Sequence, residues 1–439
     1  MSSEWPLVEV DKVCELIVDC VNKTAPVVAD ATPYRMIRTT NVRNGRISLA
    51  GCRYVEQATF DKWTRRAKLQ RGDVVLTREA PIGEVGMVIE SDGVFLGQRL
   101  MQYRANGQLL DSRFLLYSFL SPSLQQQFGS HEGSGSVVSH IRVGDCFKFK
   151  LRLPPLPVQK DIAALLGALD DRISVLRETN ATLEAIAQAL FKSWFVDFDP
   201  VRAKVDGRIP EGMDEATAAL FPDGLEKSEL GMVPLTWSVR AFRETIDMIG
   251  GGTPKTSVAE FWGGEIPWFS VVDAPNASDV FVVDTEKHIT EAGLNGSSTK
   301  LLPIGTTIIS ARGTVGRLAL TGRPMAMNQS CYGLRGKAGD VFFTYLSTTR
   351  LVEQLKQRAH GSVFDTITQE TFSGVSLCYP PSGIIHSFED AVRPMFERVK
   401  ENLIQARCLA ELRDILLPRL ISGQLRLPES EILFKAIAA

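Results

Sequence analysis

The side chains best suited to bind a ligand in this 439-residue sequence are cationic and amide groups in two separate stretches. Residues 35–78 carry eleven Lys or Arg and three acids, and residues 300–337 carry six Lys or Arg and no acid. Lys and Arg neutralise phosphate, whereas Arg reads guanine and Gln reads adenine at base edges. We therefore predict contacts with duplex DNA for Arg43, Arg46, Arg65, Arg66, Lys68, Arg78, Gln98, Lys255, Lys300, Arg312, Arg317, Arg323 and Gln329.

The overall charge does not by itself favour DNA binding. The net charge is −2, and residues 206–230 carry seven acids and two basic residues. Positive charge that is concentrated in separate stretches, here residues 35–78 and 300–337, is nevertheless typical of a phosphate-binding surface. The alternative is a solvated charged face, and for any single residue a structural role remains open.

The sequence offers no catalytic or metal-binding constellation. The five histidines are scattered without an HExxH motif, and the Gly250–Thr256 segment lacks the GxxxxGK[ST] spacing of a phosphate loop. The seven cysteines form no CxxC pair, which favours reduced thiols over disulfides or zinc. We expect a cytoplasmic protein because neither a secretory signal nor an 18-residue apolar run is present.

The chain is an internal duplication, which indicates how these side chains are positioned. Residues 135–155 and 361–381 share seven of 21 positions at an offset of 226, including Pro154-Pro155 and Pro380-Pro381. Farther upstream, Gln98 aligns with Gln329, and the two basic stretches overlap in the alignment. The repeat predicts two related α/β domains with pseudo-two-fold symmetry, and such symmetry suits duplex DNA.

Each copy combines short strands with one long helix. Strands are predicted over 73–77 and 85–89, and again over 306–310 and 318–320. Apolar residues then follow an unbroken heptad pattern from Ile162 to Trp194, and a weaker one from Phe388 to Leu420. The weaker pattern contains Arg413, and Pro394 should kink or restart its helix. We expect an antiparallel coiled coil over 158–196 and 384–422, within an α+β fold.

The heptad positions also predict the register of this coiled coil. Asn180 is the polar position of the first seam, and a buried amide is tolerated when it is paired. A register in which paired residue numbers sum to 582 places Asn180 opposite Asn402. It also places Ile162 opposite Leu420 and Trp194 opposite Phe388.

Three sequence motifs resemble those of the specificity subunits of type I restriction–modification systems. The first runs from Leu153 to Gln159 and continues after the heptads from Leu190 to Val201; the second runs from Ser228 to Trp237 and on through Gly250–Thr256 and Trp262–Trp268. The third is the closing segment from Leu417 to Leu425. The resemblance covers essentially the whole chain.

The resemblance implies two tandem target-recognition domains, each followed by a conserved helix. In those terms the expected domains are a first head at 1–153, a central helix at 154–199, an acidic linker at 200–232, a second head at 233–380, a C-terminal helix at 381–423 and a tail at 424–439. Each head would read one half of a split DNA sequence. Partner subunits would include two methyltransferases and motor–nuclease subunits.

The same resemblance implies that this chain is not catalytic. S-adenosylmethionine, ATP and Mg would belong to partners, so that the assembled complex would be a DNA adenine methyltransferase and an ATP-dependent endonuclease. The aromatic residues Phe191, Trp194, Phe195 and Phe198 are candidates for docking a partner, or alternatively for burial against the chain's own second helix. A stand-alone bipartite DNA-binding protein, for example a repressor, remains the alternative function, and a coiled-coil spacer that binds no DNA is a third.

Overall fold

The structure is a computed structural model that describes residues 5–21, 23–131, 140–275, 279–358 and 366–427. It divides into two compact units. Unit 1 contains residues 1–172 and 408–439, and unit 2 contains residues 173–407. The aligned segments also share a Gly-Ser-Val triplet at 135–137 and 361–363, which lies outside the described residues.

Unit 1 is built on a six-stranded sheet. A second, three-stranded sheet carries the strand that ends shortly before Gln98. A two-stranded sheet joins the start of the unit to the strand before the first long helix. The six-stranded sheet contains, in spatial order, Cys14–Asp19, Leu100–Ala105, Val74–Thr77, Val85–Met87, Gly45–Ile47 and Val42–Arg43; the three-stranded sheet contains Arg53–Tyr54, Arg35–Ile37 and Val94–Leu96; and the two-stranded sheet contains Leu7–Glu9 and Lys150–Arg152. The shorter α-helices are Gln57–Trp63, Ser112–Leu120 and Pro122–Gly129.

Unit 2 repeats this strand order with five strands in its main sheet, without a counterpart of Val42–Arg43 among the described residues. Its five-stranded sheet contains, in spatial order, Ile246–Gly250, Cys331–Gly336, Thr307–Ser310, Leu318–Thr321 and Phe281–Val282. Its three-stranded sheet contains His288–Ile289, Trp262–Phe269 and Ala326–Met327, and its two-stranded sheet contains Ser238–Ala241 and Ser376–Tyr379. Its shorter α-helices are Asp199–Val205, Glu215–Leu220, Phe242–Thr245, Glu291–Asn295, Phe342–Arg358 and Gln369–Ser373. The repeat predicted from the sequence is therefore confirmed as a repeat of strand order, and the four predicted strands lie where they were expected. The acidic segment 200–232 contains the first two of these helices and, with the neighbouring residues, the hairpin Leu225–Ser228 with Gly231–Pro234.

Two long helices follow the heads, at Leu156–Phe195 and Ser382–Ser422. Most of their heptad positions are buried, for example Leu166 and Phe388, which are both 0% exposed. The second helix runs through Pro394 without ending, so the predicted restart is wrong. Pro394 lies exposed on the outer face of the helix, away from the buried seam.

The helices pack antiparallel within each unit. In unit 2, Asn402 Nδ2 donates a hydrogen bond to Asn180 Oδ1 at 2.8 Å, and the rings of Trp194 and Phe388 lie 5.7 Å apart. In unit 1, Ile162 and Leu420 belong to the same buried cluster. The predicted register is confirmed at these positions.

Arg413, the charged residue of the second seam, is accommodated in unit 1 by an ion pair. Its Nη1 lies 2.7 Å from Asp170 Oδ1, and its Nη2 lies 2.7 Å from Asp414 Oδ1. Tyr117 donates a hydrogen bond to the other oxygen of Asp170 at 2.8 Å. Pairing supplies the compensation that a partly buried charge requires.

Candidate nucleic-acid interface

The candidate DNA-reading surface of unit 1 is a cavity of about 240 Å³ beside the three-stranded sheet. It combines guanidinium, amide and hydroxyl groups with two apolar side chains, which is a mixture suited to hydrogen-bonding a base edge. Its lining is Thr24, Ala25, Met36, Arg38, Thr39, Arg53, Gln98 and Arg99.

The position of Gln98 follows from the strands on either side of it. Arg35–Ile37 and Val94–Leu96 are parallel, so both strands end at the same edge of the sheet. The Gly97 amide donates to the Ile37 carbonyl at 2.8 Å, which begins the turn. Arg99 then adopts a positive φ of 71°. Gln98 is thereby presented at the turn, where Thr24 Oγ1 donates to its Oε1 at 3.4 Å.

Unit 2 builds the same turn from different residues. Trp262–Phe269 and Ala326–Met327 are again parallel in their paired part, and the Asn328 amide donates to the Phe269 carbonyl at 2.9 Å. Gln329 follows and is exposed, and Thr253 Oγ1 donates to its Oε1. The two glutamines predicted as equivalent from the alignment therefore occupy matching turns.

A second shared feature lies directly after the first strand of each pair. Residues Thr39–Asn41 and Val271–Asp273 form short 3-10 helices. The carbonyl oxygen Asn41 Oδ1 accepts from the Arg38 amide at 2.9 Å, and Asp273 Oδ2 accepts from the Ser270 amide at 2.8 Å. These bonds hold the chain beside the glutamine turn in the same conformation in both units.

The basic run of unit 1 is bonded to the segment that leads into the cavity. Arg65, Arg66 and Lys68 are all exposed, and the preceding Trp63 donates its Nε1 hydrogen to the Lys23 carbonyl at 3.3 Å. This bond ties the basic run to the segment that carries Thr24. Arg66 forms an ion pair with Asp19, and the Lys68 ammonium lies 5.8 Å from the centre of the Phe60 ring. Exposed lysine and arginine side chains such as these can contact phosphate.

Two other candidates for DNA contact in unit 1, Arg43 and Arg46, form hydrogen bonds within the chain. Arg43 is exposed and donates to the Thr39 carbonyl at 2.7 Å, and its Nε lies 3.9 Å from Glu84. Arg46 donates to the Asp170 carbonyl at 2.9 Å. Its guanidinium therefore fastens a strand of unit 1 to the first long helix.

The candidates of unit 2 are all exposed, but several also support loops. Arg317 donates to the Pro275 carbonyl at 2.8 Å, and Arg323 donates to the Glu265 carbonyl at 3.5 Å. Lys255 lies next to the Thr253 turn, and Lys300 follows the short helix Glu291–Asn295. Arg312 occupies the turn between the strands Thr307–Ser310 and Leu318–Thr321.

The structure argues against DNA contact by Arg78. This residue is 8% exposed, and its Nη1 donates to the Ile141 carbonyl at 3.0 Å. Arg78 and Arg312 lie at or beside equivalent turns of the two units, and backbone hydrogen bonds show which residues match. The Arg78 and Ala311 amides donate to the carbonyls of Arg99 and Ser330, so Arg78 matches buried Ala311 and Glu79 matches Arg312.

The aromatic cluster is a core of unit 2 and not an exposed docking surface. Phe191, Trp194, Phe195 and Phe198 are between 5% and 8% exposed. The first three pack against Phe388 of the second long helix, with ring centres 5.0–5.9 Å apart. The prediction of partner docking through these side chains is therefore not supported, and the alternative of burial against the chain's own second helix is correct.

Sequence reasoning missed several residues at the reading turns. Arg38 and Arg53 were counted in the basic stretch but not selected, and Arg99 was not considered although it follows Gln98. Thr24 and Thr253 were also missed. A signal was available for Arg99, because it directly follows the aligned Gln98. The contribution of Arg53 depends on strand pairing across 17 residues, between Met36 and Arg53.

The described residues contain no cluster of side chains that could bind a metal ion, that is, no suitable group of three or more His, Cys, Asp or Glu. Burial raises the pKa of the Cys14 and Cys331 thiols to about 12, so that both remain protonated at neutral pH. No helix in the described ranges is long and apolar enough to cross a membrane.

The fold and the paired turns define a protein with two related domains. Comparison with known families identifies the class: the type I restriction modification DNA specificity domain matches residues 2–185 and again residues 234–386. This chain belongs to that family and carries two copies of the domain.

Individual relatives agree with this assignment. The chain is 28% identical over 403 residues to the type I restriction enzyme HindI specificity subunit of Haemophilus influenzae, covering 81% of this chain and 87% of the relative. It is also 28% identical over 197 residues to the MjaIX specificity subunit of Methanocaldococcus jannaschii, covering 43% and 45%. The crystal structure of an S subunit from M. genitalium has the same fold, with a TM-score of 0.55, 14% identity and coverage of 95% and 96%.

Proposed function

We propose that this chain is the DNA specificity subunit of a type I restriction–modification complex, in which each head reads one half of a split DNA sequence. The observation that carries the proposal is the repeated glutamine turn, bordered in unit 1 by exposed cations. A protein with two related reading surfaces suits a target with two separate half-sites. The family supports this function over that of a stand-alone repressor.

The long helices are proposed to dock two methyltransferase subunits. Because the aromatic cluster is buried, docking would use outward-facing positions of the helices. Val175 and Ile186 of the first helix, and Ile404 and Ile415 of the second, are 43–55% exposed. A partner that packed along the helices would cover these apolar side chains, and a contiguous apolar patch is what marks such a surface.

The chemistry of the complex is assigned to its partners. In this proposal, S-adenosylmethionine is bound by the methyltransferase subunits, and ATP and Mg by motor–nuclease subunits. This chain supplies sequence recognition without catalysis. Because the target is cellular DNA, we place the complex in the cytoplasm of the cell that expresses it.

Co-purification tests this function directly. The tagged chain is expressed with the methyltransferase gene that accompanies it, and the purified material is titrated with duplex DNA at several salt concentrations. We expect a stable complex whose DNA affinity falls as salt rises, because phosphate contacts release counterions. A chain that binds DNA with sequence preference but never retains a methyltransferase would favour the repressor alternative.

A further inference from the structure

We propose that Gln98 and Gln329 read the same base, an adenine, in the two half-sites, and that the arginines beside them make the half-sites differ. This inference rests on the proposed function and deepens it. It assigns one shared and one divergent element of recognition to named side chains, although the two heads have diverged in most of their sequence.

The first support is that the two glutamines are equivalent in their backbone surroundings. Each follows a residue whose amide bonds to the end of the neighbouring parallel strand, at 2.8 Å in unit 1 and 2.9 Å in unit 2. Each precedes a residue, Arg99 or Ser330, whose carbonyl accepts from the opposite strand at 2.8 and 2.7 Å. The two side chains are therefore presented from the same point of the fold.

The second support is that each glutamine accepts a hydrogen bond from a threonine of its own unit. Thr24 and Thr253 donate their hydroxyl hydrogens to Oε1 of Gln98 and Gln329. A carboxamide oxygen has two lone pairs, so it can accept from threonine and from a base at the same time. The threonine thus orients the amide and leaves its NH₂ group free to donate. Adenine presents the matching pair, an N7 acceptor and an N6 donor.

The residues that surround this shared pair differ in charge. In unit 1, Arg99 Nε lies 3.1 Å from Glu79 Oε2. Arg38 and Arg53 line the same cavity as Gln98. In unit 2, serine replaces arginine at the two matching positions, Ser270 for Arg38 and Ser330 for Arg99.

Unit 2 also carries a cation at a place where unit 1 has an acid. Arg312 occupies the place that Glu79 has in unit 1, as the paired backbone hydrogen bonds establish. Arginine prefers guanine O6 and N7. We therefore infer that a guanine accompanies the adenine in both half-sites, but at a different position relative to it.

Selection from a randomised duplex library tests this inference with the full chain in complex with its methyltransferase subunits. In the Gln98→Ala variant, the preference for adenine at one position of the first half-site should fall by roughly 5- to 150-fold, the value expected for one bidentate contact. The second half-site should be unchanged and serves as an internal control for folding. Gln329→Ala should give the reverse pattern.

Two further variants separate reading from positioning. Gln98→Glu should exchange adenine for cytosine at that position, because a carboxylate accepts from cytosine N4. Thr24→Val keeps the side-chain shape, removes the hydroxyl and should weaken the adenine preference less than Gln98→Ala does. Gln108→Ala, an exposed glutamine elsewhere in unit 1, is the matched control and should leave both half-sites unchanged.

The possible outcomes distinguish this inference from the function on which it rests. A wild-type complex without any sequence preference would contradict the proposed function itself. A split preference that persists unchanged in Gln98→Ala and Gln98→Glu would overturn the inference alone. Loss of both half-sites in both variants would overturn it as well, because a residue at the turn of one head should not control the other.

Discussion

The paired amides in the middle of unit 2 offer a quantitative test of how the two helices recognise each other. Asn180 and Asn402 are both 2% exposed. Asn402 Nδ2 donates to Asn180 Oδ1 at 2.8 Å, and Asn180 Nδ2 donates to the Val399 carbonyl at 3.1 Å. Replacing either residue by leucine removes one partner and leaves the other amide buried.

The magnitude follows from the hydrogen bonds that are lost. Asn180→Leu leaves the Asn402 amide without its acceptor, and an unsatisfied buried polar group costs about 1–3 kcal/mol. The double variant N180L/N402L removes both amides and buries two apolar side chains. Its free energy of unfolding should exceed the value expected from adding the single effects by at least about 1 kcal/mol, a coupling typical of residues in contact. The two leucines of this double variant should specify the register of the two long helices less strictly than the paired asparagines do.

Urea unfolding measures this coupling. Tryptophan fluorescence reports mainly on unit 2, which contains Trp194, Trp237, Trp262 and Trp268 out of six tryptophans. Gln188→Leu, at an exposed position of the first long helix, is the control and should change the free energy of unfolding by less than about 0.5 kcal/mol. Single effects that simply add in the double variant would refute the idea that the two amides stabilise each other.

Three further predictions concern activity, DNA binding and pH. The isolated chain should show no methyltransferase, ATPase or nuclease activity; turnover of S-adenosylmethionine by the pure chain would contradict this. Reversing the charges at Arg65, Arg66 and Lys68 should weaken binding to all duplexes and lower the salt slope by roughly one unit per lost contact, so an unchanged slope would show that these residues only face solvent. Burial raises the pKa of Glu389, whose Oε1 accepts from the Val341 and Phe343 amides at 3.1 and 2.8 Å. A raised carboxyl pKa penalises the folded state as pH rises above the unfolded value, so Glu389→Gln should stabilise unit 2 at neutral pH, and the gain should disappear in acid; a gain that is independent of pH would exclude this origin.

Much of the fold could be predicted because it depends on local patterns. The heptads specified both long helices and the antiparallel register, since only one heptad-compatible alignment brings the two buried asparagines together. The helix restart predicted at Pro394 was wrong because helix propensity is a local rule. Packing of Val392 and Phe396, which are 0% and 1% exposed on either side of it, holds the helix together through the proline.

The candidate site was harder to predict because exposure depends on tertiary packing. Composition identified Arg78 as a cation in a basic stretch, but strand pairing buries it against the Ile141 carbonyl. The aromatic residues Phe191 and Trp194 were ambiguous for the same reason, since an apolar helix face packs equally well on its own chain or on a partner. The glutamines were found because the repeat itself marked them. Their threonine partners required the folded turn. Thr24 precedes Gln98 by 74 positions, and Thr253 precedes Gln329 by 76 positions.

Mapping methylated bases tests the central claim most directly. The chain is expressed with its methyltransferase subunits in cells without other modification, once as wild type and once with residues 1–153 exchanged for the first head of another family member. The account predicts a split methylated sequence in which the exchange alters one half and leaves the other intact. A single continuous target, or a change in both halves, would contradict the claim that each head reads its own half-site.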